Sequence, residues 1–201
     1  MKMNSAMRNL ILLILPNLIF LGSCVVPEST HVEPDFFLLS TVLADENQTD
    51  SESETSFYVN QVQLPRYLQD NRLVFRPKEE SIEFRENKRW GEPLDEGIAR
   101  VLGSNLGLKM KVLRFSVFPN RKKNGCDWEI SFSVERFEKI NGEQIRLKGI
   151  FEIISKEDEV ENHAYDSLFP IHGMDEISEV RAMSAALDDL ASVVAAKLES
   201  P

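Results

Sequence analysis

The chain has 201 residues, with 33 acidic and 23 basic side chains, a net charge of −10 and 42% hydrophobic residues. That length and apolar content suffice for a domain with a sizeable core. The acidic balance excludes sequence-independent nucleic-acid binding, which needs a basic surface, and simple electrostatic adhesion to an anionic membrane face.

Residues 1–23 have the three parts of a secretory signal: Lys2 and Arg8, an apolar run from about residue 10 to 21, and the small pair Gly22-Ser23. The run is about a dozen residues long and is broken by Pro16 and Asn17, whereas a spanning helix needs roughly 20. Its end, Leu21-Gly22-Ser23-Cys24, resembles the bacterial lipobox, in which the cysteine is acylated and becomes the mature N-terminus. Two or more acyl chains give stable attachment, where one holds only marginally. Val25 stands where lipoproteins kept in the inner membrane often carry Asp, so the resemblance implies the outer membrane, facing the periplasm. Cleavage removes Lys2 and Arg8 and no acid, taking the net charge from −10 to −12. Residues 24–35, with Pro27 and Pro34, read as the lipidated terminus and tether, and 36–201 as a single domain.

Within that domain, 36–43 is strand-like by residue type. Residues 45–56 carry five acids and no base, a solvated loop. Residues 57–64 read as a strand stopped by Pro65, 66–70 as a single helical turn or irregular corner, and 72–76 as a strand ended by Pro77. Residues 81–86 alternate polar and apolar, which suits a hairpin or an edge pair with that neighbour. The first helix opens at Pro93, with Asp95 and Glu96 in its first turn, Leu94, Ile98, Val101, Leu102 and Leu108 on one face, and Gly107 as its stop. Residues 111–118 place Leu113, Phe115 and Val117 on one side of a further strand.

The clearest strand puts Trp128, Ile130, Phe132 and Val134 on one side and Glu129, Ser131, Ser133 and Glu135 on the other. Asn141-Gly142 is a hairpin turn, since type I′ geometry needs positive φ at both positions. The returning strand, about 144–154, buries Ile145, Leu147, Phe151 and Ile153. Residues 157–173 read as an acidic, irregular segment. A long helix begins near Asp175 as N-cap and runs to about Leu198, with Ile177, Val180, Leu187, Leu190, Ala191 and Val194 in its stripe. The order strands, helix, strands, helix predicts an α+β fold, a mainly antiparallel sheet with two helices packed on one face.

Chemistry-bearing patterns are sparse. His163 and His172 are nine residues apart among acids, where zinc sites show tighter pairs, so no metal site is expected. No Gly-x-Ser-x-Gly elbow or glycine-rich phosphate loop occurs, and no catalytic residue or cofactor is expected. With Cys24 consumed by lipid, Cys126 fits an intermolecular bridge, a reactive thiol or a buried inert residue, and no catalytic partner favours the second. Lys109, Lys111, Arg114, Arg121, Lys122 and Lys123 form a basic stretch, read as a charged edge or as a docking patch.

Two segments stand out: Leu64-Pro65-Arg66-Tyr67-Leu68-Gln69-Asp70 and Arg89-Trp90-Gly91-Glu92-Pro93-Leu94. Tyr, Trp and Arg most often anchor interfaces. Pro65, Tyr67, Arg89 and Trp90 are therefore candidate partner-interface residues. In the competing structural reading, Tyr67 and Trp90 plug the sheet and Arg89 pairs with Glu92 or Asp95. The two segments resemble the Leu-Pro-x-Tyr-Leu-Asp-Arg and Arg-Trp-x-Glu-Pro-Leu signatures of the PqiC-type family of ABC-type transport auxiliary lipoproteins. Ala182-Met183-Ser184-Ala185-Ala186-Leu187 resembles that family's C-terminal run. The chain departs from the pattern at Gln69-Asp70-Asn71 and in the acidic insertion.

The resemblance implies a non-catalytic lipoprotein on the inner leaflet of the outer membrane, a subunit of an MCE-type intermembrane lipid transport system. Its partners would be an MCE-domain tunnel protein, through it an ABC or permease complex, and further copies of itself in a homo-oligomeric ring. The alternatives are a periplasmic module that carries an acyl chain between sheet and helix, and a hydrolase using Cys126 or the histidine segment.

Overall fold

The structure is a computed structural model that describes residues 32–41, 55–120 and 125–199. The signal segment, Cys24, most of the acidic insertion and Arg121, Lys122 and Lys123 lie outside the described residues.

The alternation around Phe132 produces the strand on which the sheet is built. Strand β6 (Trp128–Ile140) turns at Asn141 and Gly142, with φ of 51° and 77°, into β7 (Gln144–Ser155). The two pair antiparallel from Trp128–Ser155 to Ile140–Gln144, with a register shift between Val134 and Arg136. Strand β8 (Val160–Pro170) continues the antiparallel ladder beyond β7. The other edge of β6 is shared. Strand β2 (Phe57–Val59) runs parallel to its first residues and β3 (Arg72–Lys78) parallel to its last. Outside β3 lie β4 (Ser81–Trp90), antiparallel, and then β1 (Asp35–Phe37), parallel to β4. Strand β5 (Phe115–Val117) flanks β2 in parallel. The long ladders are antiparallel and the short strands add parallel edges.

Helix α1 (Leu94–Met110) and helix α2 (Glu176–Leu198) pack on each other and on the sheet. Asp175 caps α2 by accepting the Ser178 N–H at 2.9 Å, satisfying one of the four orphan donors of that end. Ile130 and Phe132 of β6, Ile145, Leu147 and Phe151 of β7, and Leu187, Leu190 and Val194 of α2 are essentially inaccessible. Because the buried strand residues share one parity, both helices cover the same face, and Ile150 on the opposite face is 45% exposed. The α+β arrangement expected from the sequence is the one observed.

Several local expectations need correction. Residues 157–173 are not an irregular loop, because they contain β8. As an outer strand it meets the core on one side, where His163, Tyr165, Ser167 and Phe169 sit opposite Phe151, Gly149, Leu147 and Ile145. Only two of those four inward residues are large and apolar, so the alternation was faint. The antiparallel run after α1 is thus β6, β7 and β8, while the strand expected over 111–118 shrinks to Phe115–Val117 and pairs in parallel with β2 as β5.

Pro77 does not end β3. It lies past the last pairing with β6, at Arg76–Ile140, and inside the irregular part of the β3–β4 ladder, where a missing N–H costs no bond. Gly107 does not stop α1 either. A Cβ there would lie 2.8 Å from the Phe115 ring, so the glycine serves close packing, and Lys111 supplies the left-handed residue at φ 54°. Leu113 precedes the short β5 and is exposed, as is Ile177 in the first turn of α2. The segment 57–64 keeps strand pairing only over Phe57–Val59 and a bridge between Gln63 and Ser133.

Candidate functional site

The ladder on the shared edge of β6 stops at Gln63–Ser133 and resumes at Phe75–Lys139. The chain crosses the interval through a corner with a single 3-10 turn, Arg66–Leu68. Pro65 sets its start at φ −61°, and the Leu68 N–H returns to the Pro65 carbonyl at 2.9 Å. Leu68 is buried beneath the corner and Tyr67 points along the edge of β6.

There the Tyr67 hydroxyl donates to Glu138 Oε2 at 2.8 Å and lies 3.2 Å from the Glu135 carbonyl. Glu138 is 1% exposed, a position a carboxylate can hold only when its charge is matched and its oxygens are bonded. Its Oε2 also accepts the Phe137 N–H at 3.0 Å. Its Oε1 accepts Arg76 Nε and Arg136 Nε, each at 2.8 Å. The Arg76 guanidinium sits over the Tyr67 ring, 5.5 Å from its centroid. Burial first, and the Glu138 charge second, push the Tyr67 phenol well above its ordinary pKa.

The second motif reaches the same corner. The Trp90 N–H donates to the Asn71 carbonyl at 2.7 Å, and Arg89 stands opposite Arg72 in the β3–β4 register. Asp70, at the point where the family signature is broken, accepts the Arg72 N–H at 2.9 Å and clasps its guanidinium at 2.8 and 2.9 Å. Those Arg72 bonds, aided by the nearby Arg89 charge, hold its carboxyl down at about 2. Trp90 is buried in the core, so it supports the corner from beneath.

Arg89 does not pair with Glu92 or Asp95. Strand β4 runs on to Trp90 and keeps Arg89 on the sheet, with Nε 3.5 Å from the Glu86 carbonyl. Glu92 instead takes Arg100, and Asp95 takes Gln61 Nε2 at 3.2 Å.

The two motifs therefore frame one open cleft of ≈ 490 Å³, with Leu64 and Gln69 on one side and Pro93, Leu94 and Asp95 on the other. Its floor includes buried Val62 and Leu94, and its rim carries the amides of Gln61, Gln63 and Gln69. Such a surface offers donors and acceptors without a nucleophile or a metal-ligand set. Among the described residues no group of three His, Cys, Asp or Glu side chains is placed to hold a metal. The sequence reading missed the glutamines and Glu138. Gln61 and Gln63 flank buried Val62, an outward–inward–outward pattern that marked them as rim. The signal for Glu138 was Phe137, an apolar residue out of phase with Val134, which requires the extra residue of a bulge.

The corner and the cleft thus lie side by side on one edge of the α+β sheet. Residues 37–195 match the profile of the ABC-type transport auxiliary lipoprotein component, and the chain belongs to that family. It is similar to the intermembrane transport lipoprotein PqiC of Escherichia coli (strain K12), with 25% identity over 92 residues, 46% of this chain and 48% of that protein. The PqiC of Shigella flexneri matches to the same extent. The chain thus spans about half the length of the curated relatives it matches. Among solved structures, an uncharacterized protein superposes with a TM-score of 0.70 at 14% identity, covering 84% of this chain and 100% of that one. A Xanthomonas campestris protein of family DUF330 gives 0.61 at 12%, covering 80% and 92%. These likenesses show the fold. Among the described residues no helix is long and apolar enough to cross a membrane.

Proposed function

We propose that this chain is a non-catalytic outer-membrane lipoprotein, held by acylated Cys24 and facing the periplasm, that docks the tunnel protein of an MCE-type intermembrane lipid transport system. Pro65, Tyr67, Arg89 and Trp90 organise the docking corner, and the domain works as a homo-oligomeric ring joined through the tunnel protein to an ABC or permease complex. The observation that carries the reading is the convergence of the two family motifs on one cleft, fastened by the 2.7 Å bond from Trp90 to Asn71. A docking role explains why Tyr67 and Trp90 are spent on rigidity while the exposed rim is amide-rich, since a preorganised surface loses less entropy on binding.

Retention of the MCE-domain protein by the immobilised domain tests this. The wild type should retain it at micromolar concentration. The double variant Gln61→Arg/Gln69→Arg, confined to the rim, should weaken it by about tenfold or more without changing thermal stability. Undiminished binding by that variant, or no binding by the wild type, would overturn the reading. The carrier alternative, an acyl chain between sheet and helices, needs the space that Phe132, Phe151, Leu187 and Leu190 already fill.

A further inference from the structure

Exposed large apolar side chains gather where the chain joins the sheet. The inward positions Phe37 and Leu39 pack in or against the core, so alternation turns Phe36 and Leu38 outward, 63% and 56% exposed. Ile177, in the first turn of α2, is 58% exposed and lines the same groove as Phe36 and Leu38, while Met174 just before that turn is fully exposed. The neighbouring charges are matched: Lys88 Nζ lies 2.8 Å from Asp35 and 3.5 Å from Glu176. Arg181 stands on the rim of the groove. A patch of this kind on an otherwise acidic protein marks a contact surface.

The tether says what covers it. Eight residues lie between Cys24 and Glu33, nine residue steps with a reach of at most about 30 Å. A folded unit of about 170 residues is about 40 Å across, so a tether of that reach keeps the β1 side nearer the bilayer than the far side. We propose that Phe36, Leu38, Met174 and Ile177 form a membrane-contact face that inserts into the headgroup region of the leaflet holding the Cys24 lipid. The inference rests on the anchoring reading above. The net charge opposes adhesion to anionic lipid, so the contact is apolar, with Arg181 left to meet a lipid phosphate. One consequence is orientation, because a domain fixed at both its lipid and this face cannot swing freely on its tether.

The test uses the full-length lipoprotein reconstituted into phosphatidylethanolamine vesicles with a minor phosphatidylglycerol fraction. In a Cys126→Ser background, one cysteine is placed by Ile177→Cys or, as a control on the wet face of the sheet, by Leu168→Cys, and each is labelled with an environment-sensitive fluorophore. Flotation with vesicles reads the anchor, and quenching by brominated lipid reads the face. Vesicle-bound protein should show about twofold or greater quenching of the Ile177→Cys label and almost none of the Leu168→Cys label. Protein that floats while both labels report water overturns the face alone. Protein that does not float overturns the anchor and the face together. A concentration-dependent change of the Ile177→Cys label without lipid, in a Cys24→Ala variant, assigns the patch to a second copy of the chain and also overturns the proposal.

Discussion

The hydroxyl of Tyr67 and the carboxylate of Glu138, 71 positions apart in sequence, meet at 2.8 Å and close the interval on the edge of β6. Tyr67→Phe removes one of two donors to Glu138 Oε2 and should cost about 1–2 kcal/mol. Glu138→Ala leaves Arg76 and Arg136 without their shared acceptor and should cost about 3–5 kcal/mol. In urea unfolding the double variant should lose less than the sum of the two. Strict additivity would mean the pair is not coupled.

Gly149 of β7 faces Val134 at the register shift of β6. A Cβ there would meet the Ser133 carbonyl at an impossible distance and the Phe132 ring at 2.8 Å. Gly149→Ala should therefore destabilise by about 1–3 kcal/mol, although alanine suits a strand better than glycine does. Equal or raised stability in denaturant unfolding would show that the bulge relaxes to admit the methyl.

Acid should loosen the corner before it unfolds the domain. The folded Asp70 carboxyl is held at about 2 by Arg72, below its usual value of 3.8. A depressed carboxylate pKa contributes stability that is present above the unfolded value and is lost as pH falls through the folded one. Between about pH 4 and 2 the Asp70→Asn variant should lose less stability than the wild type, as followed by thermal unfolding. Parallel pH profiles would remove Asp70 from the acid response.

Alkali should act through two phenols. Tyr67 and Tyr165 are held neutral chiefly by burial and then by Glu138 and Asp189, the latter accepting the Tyr165 hydroxyl at 2.7 Å. Their folded pKa values are raised, so the stability they contribute is intact below about pH 10 and falls above it as the unfolded phenols ionise. Tyrosinate absorbance from these two should appear together with unfolding, and Tyr165→Phe should shift that transition to higher pH. Ionisation of both before any loss of far-ultraviolet dichroism would contradict the assignment.

These particulars show what the sequence made legible. Asn141-Gly142 and the alternation about Phe132 specified the central hairpin because local turn chemistry and burial agree there. Asp175 marked the start of α2 for a similar reason. Strand β8 was hidden because, as an edge strand, it buries Tyr165 and half-buries Phe169 against the core, and its acids look like a loop. At the corner, the motifs named Tyr67 and Trp90, yet the partner of Tyr67 is far along the chain. Only the fold brings Glu138, Arg76 and Arg136 to it. The rim glutamines carry no chemical signature, and their placement beside Pro93 and Asp95 depends on how α1 leaves β4.

Strand β1 has a mechanical meaning. It is three residues long, pairs with β4 in parallel, and is closed by the Phe37 carbonyl to Gly91 N–H bond at 2.9 Å and the Asp35–Lys88 ion pair. Tension arriving from the N-terminal side of Glu33 loads those few bonds before it reaches the helices or the long ladders. Strand β1 is thus a fuse: under such a load it gives way first, while the interlocked core of β6, β7 and α2 keeps its shape.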